Sequence, residues 1–95
     1  VPNPVPPELK GYFDENQTLL LWPAKGRAEK RAIALEWLAS HFDPDREYTE
    51  KEVNALLKSL HTFNDHAFLR RELIDRSHLT RTPDGSIYRR TTQNK

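Results

Sequence analysis

Ninety-five residues, 31% charged and 36% apolar, make one small domain with a lean core, which excludes a large enzyme fold built around a deep cavity. Fifteen Lys and Arg against fourteen Asp and Glu leave a net charge of +1, too balanced for a strongly basic nucleic-acid or membrane binder. Without cysteine there is no disulfide framework and no thiolate metal site, and no apolar run approaches the ~18–20 residues of a membrane span.

Val1 to Pro7 reads V-P-N-P-V-P-P, and this density of proline favours extended chain over helix. Residues 1–11 therefore read as a proline-rich linker or flexible arm, 12–90 as the folded domain and 91–95 as a frayed tail. The short apolar run Thr18-Leu-Leu-Leu-Trp22, ended by Pro23, predicts a strand buried on both faces. The first helix is predicted from about Gly26 to Phe42. Ala28, Ala32, Leu35, Ala39 and Phe42 share one face, which Ile33 and Trp37 widen. Asp43-Pro44-Asp45 stops it.

The second helix is the best marked. Thr49 is placed as its N-cap, Glu52 completes a capping box, and Tyr48 and Val53 occupy the staple positions. Val53, Leu56, Leu57 and Leu60 then recur on one face. After the short link Thr62-Phe63-Asn64, a third helix is capped by Asn64 or Asp65 and runs through Leu69, Leu73 and Ile74 to about Ser77. So short a link is that of a helix-turn-helix. Leu79-Thr-Arg81 and Ile87-Tyr-Arg-Arg90 flank the turn Pro83-Asp-Gly85. Proline presets the first corner and glycine takes the left-handed position, so a hairpin is expected. The chain is thus mainly α with a small antiparallel sheet (α+β): a winged helix-turn-helix of three helices and a C-terminal β-hairpin wing. The Thr18–Trp22 strand is in position to pair with that hairpin.

Charge is unevenly spread. Val1 to Leu69 carries eight basic and eleven acidic residues, Arg70 to Lys95 seven and three. The late cations are nearly all Arg, whose planar fork matches phosphates and guanine edges. In a winged helix the third helix enters the major groove and the wing touches the backbone. On that geometry Lys25, Arg27 and Lys30 at the first helix, and Arg81, Arg89 and Arg90 on the wing, are candidate phosphate contacts. Ser86 and Thr91 are extra donors. Asn64, His66 and Arg71 are candidate base contacts. With Arg31, four cations at the start of the first helix oppose its dipole, which a bound phosphate or Glu29 and Glu47 would offset.

Other signals point away from DNA. The outer side of the third helix carries Asp65, Phe68, Arg71, Glu72, Asp75 and Arg76. This mixture gains little from phosphates and suits a protein contact around Phe68. Arg70 falls inside the apolar arc and is assigned an ion pair with Glu52, Glu50 or Glu36. Asn54 is assigned a bond to local backbone. There is no His-x-x-x-His pair, glycine-rich phosphate loop or nucleophile elbow. No catalytic residue, metal site or cofactor is expected, and the chain is not read as an enzyme.

Six segments carry a resemblance. They are Pro23-Ala-Lys25, Ala34-Leu-Glu-Trp-Leu38, Tyr48-Thr-Glu-Lys-Glu-Val-Asn54, Leu69-Arg-Arg-Glu-Leu73, Leu79-Thr-Arg81 and Asp84-Gly-Ser-Ile-Tyr88. Together they resemble the bacterial domain of unknown function 2087 family, over about Phe13 to Arg90. The resemblance implies a small bacterial domain, found alone or attached to others, including repressor-type helix-turn-helix domains. By that company it implies transcriptional regulation, and it brings no ligand or catalytic residue. Two functions stay open. One is a DNA-binding winged helix in bacterial transcriptional regulation, with double-stranded DNA as partner. The other is a protein-binding or effector-sensing winged helix without strong DNA binding, with a protein partner or an attached regulatory domain. A cytoplasmic setting with no membrane partner fits either. The absence of Met and the Val1 start read as those of a piece of a longer protein.

Overall fold

The computed structural model describes residues 5–91. Helix α2 (Glu50–Leu60) begins where its local chemistry requires. The Glu52 N–H donates to the Thr49 hydroxyl at 3.1 Å, and the Thr49 N–H donates back to the Glu52 carboxylate at 2.9 Å. Two N–H groups that the helix cannot satisfy are thereby paired. The Thr49 backbone bond, and then Arg46 at 2.8 Å, hold the Glu52 carboxyl below its ordinary pKa. Tyr48 and Val53, the staple pair, are both buried.

Helix α1 (Ala28–Ala39) is shorter than predicted; of its expected face Leu35, Trp37, Ala39 and Phe42 are buried, and Ala34 and Leu38 are buried besides. Ala28 and Ala32, expected on the same face, are exposed. The wheel assumed one covered stripe, but the preceding segment covers a second. Leu9, in a 3-10 turn over Pro7–Leu9, is fully buried. Phe13 meets Trp37 edge to face at 4.7 Å. The 3-10 turn ahead of Tyr12 thus packs against α1. At the other end the Thr91 N–H donates to the His78 carbonyl at 2.9 Å. The expected arm over residues 1–4 and the expected fraying over 92–95 lie outside the described residues.

The predicted Thr18–Trp22 strand does not form. Only Leu19 pairs, through isolated bridges to Phe13 and His61. Its N–H donates to the Leu60 carbonyl, and its carbonyl accepts from the Thr62 N–H, both at 2.9 Å. Leu19 is fully buried, while Leu20 and Leu21 are 37% and 57% exposed. The Leu20 N–H also donates to the Tyr12 carbonyl at 2.7 Å, and the Thr18 carbonyl accepts from the Asp14 N–H at 2.9 Å. No continuous ladder follows, and an apolar run alone does not make a strand. The segment clamps the end of α2 and does not reach the hairpin.

The third strand of the sheet is instead β1 (Glu47–Tyr48), in the order β1-β3-β2. Glu47 lies opposite Arg89 and Tyr48 opposite Tyr88. The hairpin of β2 (Leu79–Arg81) and β3 (Tyr88–Arg90) is as predicted, with Leu79 opposite Arg90 and Arg81 opposite Tyr88. Gly85 takes φ +74° in its turn, and its N–H donates to the Thr82 carbonyl at 2.9 Å. The Thr82 hydroxyl, then the Ser86 N–H and hydroxyl, donate to the Asp84 carboxylate and hold its pKa at about 2.

Helix α3 (His66–Asp75) packs on α1 and α2 through the fully buried Leu69 and Leu73. Ala67, assigned to the apolar arc, is exposed. The element order and sheet order are those of a winged helix-turn-helix, with α2 and α3 as the paired helices and β2–β3 as the wing. Among the described residues no helix is long and apolar enough to cross a membrane.

Candidate nucleic-acid interface

The turn that aims α3 is built by His61 and not by a side-chain cap. Asp65 is the N-cap residue, but its carboxylate makes no capping bond. The Asp65 N–H donates to His61 Nε2 at 2.9 Å, and His61 Nδ1 lies 2.6 Å from the Leu57 carbonyl. A carbonyl can only accept, so Nδ1 carries the proton and Nε2 is the acceptor. Asn64, beside it, has a left-handed φ of +54°, a conformation asparagine tolerates better than most residues.

Three arginines converge where α3 meets the wing. Arg70 and Arg71 of α3 and Arg81 of β2 line one open groove of about 630 Å³, together with Glu50, Ile74 and Tyr88. Arg71 is highly exposed, and its nearest carboxylate is Asp75 at 3.9 Å. Arg81 is also exposed. The Tyr88 hydroxyl donates to Glu50 Oε1 at 3.0 Å. Burial first, and then Glu50, raise the Tyr88 pKa, while Arg70 and Arg81 oppose the rise.

Three assignments need correction. Arg70 pairs with none of Glu52, Glu50 or Glu36. It donates instead to Asn54 Oδ1, because Glu52 is taken by Arg46 and Glu50 by Tyr88. Asn54 accordingly serves Arg70 and not local backbone. Phe68 is not a free aromatic either. It is half-buried, and its ring meets Trp22 edge to face at 5.7 Å. That contact spans most of the domain in sequence, so a helical wheel could not reveal it.

The remaining candidates are dispersed. Arg89 pairs with Glu47 across the sheet, so Glu47 is unavailable to the first-helix cations. Arg90 Nη1 donates to the Phe42 carbonyl at 3.1 Å. Lys30 Nζ donates to the Glu8 carbonyl at 2.7 Å, and Arg31 Nε to the Pro23 carbonyl at 2.8 Å. These two cations fasten the segment ahead of α1, leaving Lys25 and Arg27 exposed beside it. Asn64 is exposed and His66 half-buried at the start of α3. Neither lines the groove. Sequence reasoning found Arg71 and Arg81 but favoured a structural ion pair over a ligand-binding role for Arg70.

His78 sits in a second cleft with Glu36 and Arg90. Desolvation lowers its pKa below the ordinary value of 6.5, Glu36 opposing this and Arg90 and Arg76 adding to it. The unfolded chain therefore takes up the proton first. The stability contributed at this site is whole above pH 6.5 and declines as pH falls through that value toward the lower folded one. Thermal melts at about pH 7.5 and about pH 5.5 should show a smaller acid-side loss in His78→Gln than in the wild type. Equal losses would remove His78 as the cause.

Among the described residues no group of three or more His, Asp or Glu is placed to hold a metal ion. Comparison with curated proteins and with solved structures returned no match. A family model matches residues 18–90, which takes in α1, the helix-turn-helix and the whole wing, and on that match the chain belongs to the bacterial family DUF2087, whose description reads "Uncharacterized protein conserved in bacteria".

Proposed function

We propose that this domain is a binding module and not an enzyme, and that it contacts duplex DNA through α3 and the base of the wing in bacterial transcriptional regulation. The reading places it in the cytoplasm. The observation that carries it is the meeting of Arg71 from α3 and Arg81 from β2 along one groove of a winged helix-turn-helix. In this fold the second helix of the pair seats in the major groove and the wing lies against the backbone. Arg71 is then free to reach bases or phosphates, and Arg81 the adjoining strand. Arg89 and Arg90 are held by Glu47 and the Phe42 carbonyl, so they contribute less than their positions in sequence suggest.

Fluorescence anisotropy of a labelled mixed-sequence duplex, read from low to physiological salt, tests the proposal. Binding should be micromolar and fall steeply with salt. Arg71→Ala with Arg81→Ala should weaken it across all sequences and reduce the salt slope by about two, one per lost phosphate contact. Arg89→Ala with Arg90→Ala should change the slope by less than about one. A wild-type chain that binds no duplex at low salt would overturn the reading.

One feature favours the second reading, a protein-binding or effector-sensing domain. The wing tip from Thr82 to Ser86 carries Asp84 and no cation, and α3 adds Glu72 and Asp75. Such a surface repels phosphates wherever the arginines do not dominate.

A further inference from the structure

We infer that the groove between α3 and the wing is a discrete oxyanion site, which takes a phosphate-class group between Arg70 and Arg81. It stands on the geometry of the groove and not on the duplex reading, since DNA is only one of two sources for such a group.

Arg70 is half-buried, and its single hydrogen bond among the described residues goes to the neutral oxygen of Asn54. A guanidinium has five N–H donors, so most of its capacity is unspent. No carboxylate of the described residues lies within the 4.0 Å of an ion pair to Arg70 or to Arg81. A cation withdrawn from water without a charged partner is costly unless an anion joins it. Two carboxylates also line the groove: Glu50 accepts from the Tyr88 hydroxyl at 3.0 Å, and Asp75 lies 3.9 Å from Arg71. Both guanidiniums bear on that hydroxyl, opposing the rise of its pKa, so their charges reach the same place.

The wing supplies the space. A Cβ at Gly85 would stand 3.2 Å from Arg81 Nη1. The missing side chain lets the Arg81 guanidinium lie close to the turn. Two forks that line one groove, from α3 and from β2, with Asn54 fixing one of them, suit a tetrahedral oxyanion that accepts from both. The sources of the shared chemistry are a backbone phosphate of DNA and the phosphate of a small ligand.

The test is a titration of the ¹⁵N-labelled chain with inorganic phosphate, compared with sodium chloride at equal ionic strength. Saturable shifts are expected at Arg70, Arg81 and Tyr88. Arg81→Gln, an exposed substitution that leaves the core untouched, should weaken binding by about tenfold through the loss of one charge-assisted fork. Arg70→Gln should act likewise, and Arg89→Gln should change nothing. The two sources are then separated by adding duplex. If duplex displaces phosphate, a backbone phosphate occupies the site. If phosphate binds and duplex does not, the site serves a small ligand, and only the DNA reading fails. Shifts that never saturate, that chloride reproduces, or that persist unchanged in Arg81→Gln overturn the site, whether or not duplex binds elsewhere.

Discussion

Leu19→Ala should lower the stability of the domain by about 2–5 kcal/mol, the cost of a cavity left by a fully buried leucine. Leu19 has no exposed surface and belongs to the main core with Leu35, Leu57 and Leu69. Its backbone is held between Phe13 on one side and His61 on the other, so the surroundings cannot readily collapse into the space. For a domain of this length each kcal/mol moves the melting temperature by roughly 4–8 °C. A thermal or urea melt therefore shows the effect plainly. Leu21→Ala is the comparison. At 57% exposure it should cost no more than about 0.5 kcal/mol. Equal costs at the two positions would mean that the run is buried throughout, as a strand would be, and that Leu19 is no clamp.

His61→Leu should cost about 2–4 kcal/mol although the volume changes little, because it strands one buried and one part-buried backbone group. The Leu57 carbonyl loses its donor and the Asp65 N–H its acceptor. The edge-on contact of His61 with Phe63, 4.6 Å between ring centres, is lost as well. Since Asp65 is the residue from which α3 departs, any ligand held by α3 should also be bound less tightly by the folded variant. Urea titration gives the first quantity and anisotropy below the midpoint the second. A variant as stable as the wild type would show that the turn does not depend on the imidazole.

The elements legible in the sequence are those whose cause lies within a few residues. Thr49 and Glu52 meet across one helical turn, and Pro83, Asp84 and Gly85 close a hairpin by their own chemistry. The winged arrangement followed from their order. What escaped was set at long range. Strand β1 has only two residues, Glu47 and Tyr48, and no local pattern marks it. It is a strand because β3 lies beside it. The α1 wheel found Leu35, Trp37, Ala39 and Phe42 but missed Ala34 and Leu38, since the segment carrying Leu9 and Phe13 also packs on the helix, which its own sequence cannot foresee. Of the groove, Arg71 and Arg81 stood out as exposed cations. Their meeting with Arg70 depends on how α3 packs against the hairpin. Arg70 was given a carboxylate by general expectation, while Arg46 and Tyr88 engage two of the three candidates, Glu52 and Glu50.

The Thr82–Ser86 turn closes upon itself. Its hydroxyls and the Ser86 N–H converge on Asp84, and the Ile87 N–H donates to the Thr82 hydroxyl at 3.2 Å. Few donors are left over for an outside molecule, so the tip of the wing is a chemically quiet handle and recognition is confined to the hairpin's base. Pro83 is exposed at that tip and gives up no backbone donor when replaced. A dye attached there would report on the wing without being one of the groups that line the groove.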